Sequence, residues 1–212
     1  EQSLEISKNI NDQYSLGVAL NILGQITAQL NDLQHAIEHL AEAMRIKQQI
    51  GDAWGAAFTL EYLGQILRTQ GQFAEARRHI QESQSIRQSM NDQRGVGRCL
   101  RALGQIAIMD EEHEEAAALF RQSLLVFDRI GSQLDIIDST FDLAHTMQLL
   151  QRHDLAFELF KDALAAANQI NMMPKVTDSL MGIAQVLSKT NKPEQSMQLA
   201  KVIAQSEFSS LE

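Results

Sequence analysis

Leu23-Gly24-Gln25-Ile26 returns as Leu63-Gly64-Gln65-Ile66 and as Leu103-Gly104-Gln105-Ile106, then more loosely as Leu143-Ala144-His145-Thr146 and Ile183-Ala184-Gln185-Val186. The interval is 40 residues each time, without an insertion or deletion, so the chain reads as copies of one unit that bury their apolar faces against each other. Further columns keep the same step. Leu20, Leu60, Leu100, Thr140 and Leu180 are mostly apolar, while Ala36, Ala76, Ala116, Ala156 and Ser196 are all small.

Two breaks punctuate each unit. Ile10, Ile50, Met90, Ile130 and Ile170 stand before Asn11-Asp12, Gly51-Asp52, Asn91-Asp92, Gly131-Ser132 and Asn171-Met172. Gly and Asn accept the left-handed backbone that closes a helix, and Asp or Ser caps the next one. The second break falls at Asn31-Asp32, Gly71-Gln72, Glu111-Glu112, Gln151-Arg152 and Asn191-Lys192, followed by Pro193. First helices are predicted at 13–30, 53–70, 93–110, 133–150 and 174–190, and second helices at 33–50, 73–90, 113–130, 153–170 and 193–207. Leu16, Leu20, Leu23, Thr27 and Leu30 carry the three-and-four spacing of one buried face. Repeats then span 11–50, 51–90, 91–130, 131–170 and 171–210 of a single stacked domain, with 1–10 as the end of a truncated upstream unit. Gly at 24, 64 and 104 costs a helix roughly 1 kcal/mol each relative to Ala, which close approach of the partner helix would offset.

Composition agrees with an all-α chain: two prolines and 5% aromatics leave Ala, Leu, Gln and Glu to dominate. A formal net charge of −9 repels phosphate backbones, so nucleic acid is not an expected partner. One cysteine forms no intramolecular disulfide, and no apolar run or leader marks a membrane segment; a cytoplasmic setting is expected.

The order Leu60, Leu63-Gly64, Ala76, Ile80, repeated as Leu100, Leu103-Gly104, Ala116, Phe120, resembles the tetratricopeptide repeat. The resemblance covers nearly the whole chain and implies a right-handed α-α superhelix of antiparallel helix pairs. Its departures are a period of 40 rather than 34, Leu20 and Thr27 at the Trp and Tyr positions, and Gln48, Gln88, Asp128 and Asn168 where Pro would end the second helix. Without that Pro the second helix runs on. This long variety looks like the arrays of bacterial signalling ATPases and transcription regulators, kinesin light chains and spindle-orientation adaptors. HEAT-type repeats share the period but not the Leu-Gly column.

In the resembling family the first helices line the concave side. Stepping away from the core face selects Asn21 and Gln25; Phe58, Glu61, Gln65 and Arg68; Arg98, Arg101 and Gln105; Asp138, Phe141 and His145; Asp178 and Gln185 as groove candidates. The Gln25, Gln65, Gln105, His145, Gln185 column could hydrogen-bond the backbone of an extended peptide, or could simply be a solvated face. Arg94, Arg98 and Arg101 form a basic stripe that would clamp a carboxylate, or pair with the Asp135, Asp138, Asp142 stripe one unit on.

Other features have plainer readings. His35 and His39 lack a third metal ligand, Cys99 shares its column with Ala19, Thr59, Ser139 and Ser179, and Gly95-Val96-Gly97 follows no strand. No catalytic set, cofactor or metal is expected. The sequence thus describes a protein- or peptide-binding scaffold; the alternative is a sensor or effector-binding module of a larger bacterial signalling ATPase or transcription regulator. Glu1 to Ile10 lacks its own first helix, so Leu4 and Ile6 suggest more sequence upstream or self-association through that end.

Overall fold

The computed structural model describes residues 12–190 and Glu194. Among them the chain is helical without strands, and divides into two compact units, Glu1–Asp110 and Glu111–Glu212. The first unit holds α1 (Gln13–Gln29), α2 (Leu33–Gln49), α3 (Ala53–Thr69), α4 (Phe73–Ser89) and α5 (Gln93–Met109). The second holds α6 (His113–Ile130), α7 (Gln133–Leu149), α8 (His153–Gln169) and α9 (Met173–Lys189). Residues 1–11, with Leu4 and Ile6, and the expected helix 193–207, with Ser196, lie outside the described residues apart from Glu194.

The turn chemistry sets the cadence. Left-handed backbone recurs every 20 residues, at Asn31, Gly51, Gly71, Asn91, Glu111, Gly131, Gln151 and Asn171. At the Gly51 turn the Gly51 N–H donates to Gln48 O and the Asp52 N–H to Lys47 O, so the last carbonyls of α2 are satisfied before the chain reverses. Asp52 and Asp92 then accept from the Gly55 and Gly95 N–H groups at 2.8 and 2.9 Å, capping α3 and α5. Asp12 and Asp32 cap α1 and α2 in the same way. Ser132, expected to cap α7, makes no cap because its hydroxyl donates to Asp135 Oδ2 at 2.6 Å instead; Gln72, Glu112, Arg152 and Met172 make none either, so in those helices register rests on packing and the left-handed residue.

Packing follows the turns. Within the first unit α1 pairs with α2 and α3 with α4, while α2 also packs on α3 and α4 on α5; in the second, α6 packs on α7, α7 on α8 and α8 on α9. First helices additionally approach one another, α1 to α3, α3 to α5 and α7 to α9, whereas α2 and α4, or α6 and α8, do not. In each unit the first helices therefore line the tighter side. Of the apolar face expected on α1, Leu16 and Leu20 are buried and Leu23 and Thr27 half-buried, but Leu30 is exposed because it sits at the C-cap beyond the packed turns.

The small columns face each other as expected. A Cβ placed on Gly64 would lie 2.6 Å from Ile80 Cδ1 and 3.2 Å from the Ala76 carbonyl, and Gly24 meets Leu40 and Ala36 in the same way. Ala36, Ala76, Ala116 and Ala156 are fully buried. Gly64→Ala is therefore expected to destabilise the protein: overpacking costs roughly 1–3 kcal/mol and outweighs a helix-propensity gain of roughly 1. Urea unfolding should also show that adding Ile80→Val, which removes the struck methyl, costs less in the Gly64→Ala background than in the wild type.

Candidate peptide-binding face

On the tight side of the first unit, a cavity of about 400 Å³ opens between α1 and α3. Leu33, Leu40 and Ile66 make its floor; Gln25, Gln29, Tyr62, Gln65 and Arg68 stand around it. Gln65 also borders a second hollow of about 110 Å³ with Glu61, Arg98, Arg101 and Gln105, so one amide links the two. Gln25 and Gln65 are half-buried, and neither side chain has a hydrogen bond from another described residue. Arg68, Arg101 and Gln105 are engaged within the protein.

Two groove candidates are instead buried: Asn21 and Glu61 serve interior polar stations. Glu61 is 3% and Arg87 2% exposed, a burial that only full pairing makes tolerable. Arg87 Nη2 donates to Glu61 Oε2 at 2.8 Å, its Nη1 to Asp92 Oδ2 at 2.6 Å and its Nε to Ser83 Oγ at 3.3 Å. Arg98 closes the set by donating to Glu61 Oε1 at 2.6 Å. Phe58 lies under both cations, 4.4 Å from its ring centre to the Arg87 guanidinium carbon and 5.7 Å to that of Arg98, and meets Trp54 with ring centres 4.3 Å apart at a tilt of 57°. Gly95 is what lets Arg87 reach the start of α5, since a Cβ there would lie 2.2 Å from Nη1.

One unit earlier the same columns carry a milder version. Lys47 Nζ donates to Thr59 Oγ1 at 2.9 Å and to Gly55 O at 3.2 Å, and the Thr59 hydroxyl donates to Asn21 Oδ1 at 2.8 Å. Burial pushes the Lys47 ammonium below the usual lysine range, with Asp52 opposing. The columns of Lys47 and Arg87 continue as buried Phe127 and Ala167, so the polar stations give way to apolar packing.

In the second unit Lys175 gathers three candidates. Its Nζ lies 2.9 Å from Asp138, 3.8 Å from Asp178 and 5.2 Å from the centre of the Phe141 ring. His145 and Gln185 are exposed, and Asp135 and Asp142 have partners within the protein. The sequence reading did not single out Lys175, Lys47 or Arg87: charges spaced along helices look like solvated faces until a neighbouring element covers them.

His35 and Cys99 make contacts within the protein. His35 Nδ1 lies 2.7 Å from Asp32, and no group of three or more His, Cys, Asp or Glu among the described residues could hold a metal ion. Burial pushes the Cys99 thiol up to about 11, against the pull of its Ser83 contact. His79 is half-buried with an enclosed, unpaired Nδ1, and burial, aided by Arg78, lowers its pKa. A base depressed on folding contributes stability that is complete above the unfolded value and is lost as pH falls through about 6.5 toward the folded value. On going from about pH 7.5 to about pH 5.5, wild-type melting temperature should thus fall further than that of His79→Leu; parallel curves would contradict this.

Models of the tetratricopeptide repeat match residues 55–129 and 18–50, together half of the chain. The chain belongs to the tetratricopeptide repeat family. Solved structures share its fold at low identity. BtubC (BKLC) from P. vanneervenii is similar with a TM-score of 0.86 and 13% identity over 99% of this chain and 88% of that one. A signal transduction ATPase with a tetratricopeptide repeat sensor, from Pyrococcus horikoshii, gives 0.82 and 17% over 95% of this chain and 31% of that one. A Rap protein complexed with competence and sporulation factor gives 0.77 and 15% over 92% and 54%. No curated protein matches the chain in sequence. Among the described residues no helix is long and apolar enough to cross a membrane.

Proposed function

We propose that this tetratricopeptide repeat chain is a protein-interaction scaffold that holds an extended peptide or partner segment along the tight side lined by its first helices. The repeat fold is typically non-catalytic, and membership of the family supports an interaction role in general terms. The observation that carries the site is the pair of half-buried amides, Gln25 and Gln65, at the mouth of the 400 Å³ cavity with no partner among the described residues. An amide so placed has lost part of its hydration and regains it by bonding a peptide backbone. The apolar floor of Leu33, Leu40 and Ile66 takes a side chain.

A second reading shares this face: in a larger signalling ATPase or regulator the bound effector would bias the array between states. The Pyrococcus protein, whose repeats are a sensor, favours it, and the chain spans under a third of that protein.

Peptides selected from a random display library against the chain provide the test. Each lost hydrogen bond is worth about 0.5–1.5 kcal/mol, so Gln25→Ala with Gln65→Ala should weaken these peptides about tenfold with melting temperature unchanged. Selected peptides that bind the double variant as tightly as the wild type would remove this face from the account.

A further inference from the structure

Trp54 is the one tryptophan in the sequence, and it is 54% exposed at the start of α3. The indole is nonetheless held in place. It packs against Phe58, and Phe58 in turn lies beneath the guanidinium groups of Arg87 and Arg98. Tyr14 and Val18, at the same repeat positions on α1, are exposed as well. The first unit therefore carries an aromatic ledge at the N-terminal end of its first helices, roughly 10 Å or more along them from the Gln25 and Gln65 amides.

The two cations beside Phe58 are not alike. Arg87 is buried and uses all its nitrogens on Ser83, Asp92 and Glu61. Arg98 keeps 38% of its side chain exposed and donates from Nη2 to Glu61, while among the described residues its Nε and Nη1 donate to nothing. Arg98 and Arg101 also line the 110 Å³ hollow against a single acid, Glu61, so the hollow has a surplus of positive charge.

We infer that Trp54, Phe58 and Arg98 form a second docking site, for a proline-bearing acidic segment of a partner protein. The proline ring lies on the Trp54–Phe58 ledge and a neighbouring carboxylate pairs with the unspent donors of Arg98. Charge selects the acid, because a guanidinium with donors left over gains charge-assisted bonds from a carboxylate. Shape selects the proline. An open ledge encloses no flexible side chain, whereas a proline ring is already rigid and brings no N–H that an aromatic face would leave unpaired.

The test titrates the full chain with the capped peptide acetyl-Pro-Glu-Pro-Glu-Pro-amide and reads the emission of Trp54, which no other indole obscures. A saturable change with a midpoint at or below about 1 mM is expected. Arg98→Gln, or Gln in place of both peptide Glu residues, should weaken it at least about tenfold, and Ala in place of the peptide prolines should also weaken it. The altered peptides leave the protein untouched, so the outcome does not depend on how Arg98→Gln affects folding. No saturable change up to about 10 mM would overturn the inference, as would equal binding of a peptide with Lys for Glu or Ala for Pro. The probe offers no large side chain to the Leu33, Leu40 and Ile66 floor, so its failure would leave the cavity between α1 and α3 untouched as a binding site.

Discussion

Arg87→Ala is expected to lower the stability of the first unit by about 3–5 kcal/mol, the range for leaving a buried charge without its partner. The substitution removes bonds to Glu61, Asp92 and Ser83 together with the stack on Phe58, and leaves Glu61 enclosed with Arg98 alone. The loss measures the stranded acid more than the worth of the pair. Replacing Glu61 and Arg87 together by Met should accordingly recover most of the stability, because the desolvation of both charges disappears with them. Urea unfolding of the two single variants and the pair would decide it; losses that simply add would show that the two charges are not coupled and would contradict the stranded-acid account.

Phe160→Ala should cost about 3–5 kcal/mol in the second unit, as for other fully buried aromatic residues. Its ring meets Phe141 edge-on at 5.5 Å and lies against the backbone of Gly182, where a Cβ would come within 2.4 Å of the ring. Gly182→Ala should therefore destabilise the wild type by about 1–3 kcal/mol yet be tolerated, or even favourable, beside Phe160→Leu. Losses that simply add would mean that the ring and the glycine do not compete for the same space.

Gly182 also shows where the sequence was legible and where it was not. The 40-residue recurrence and the Gly/Asn-Asp breaks dictate the helices, because left-handed closure and N-capping are local chemistry; the observed bounds fall within one residue of the expected ones for α1 to α9. The close approach at Gly24 and Gly64 was legible for the same reason, since a glycine inside a helix demands a neighbour. In the last unit the requirement moves from the Gly24/Gly64 column to Gly182, because the preceding second helix presents Phe160 in place of Leu40 or Ile80.

The face of the first helices was only partly legible. Helical stepping placed Gln25, Gln65 and Arg68 around one cavity but could not separate them from Asn21 and Glu61, one turn away and buried. What divides them is the reach of Lys47 and Arg87 from the second helices, contacts made between residues 26 or more positions apart or across a turn. Periodicity reports which way a side chain points, and not what arrives from another element to meet it.

The most direct test of the account places a photo-crosslinking residue at position 25 or 65 on the first helices, or at Arg45 or Glu82 on the exposed side of the second helices, in the presence of a library-selected peptide. Crosslinks from positions 25 and 65 with none from 45 and 82 are the expected result. Crosslinks confined to positions 45 and 82 would contradict the binding face assigned to this chain.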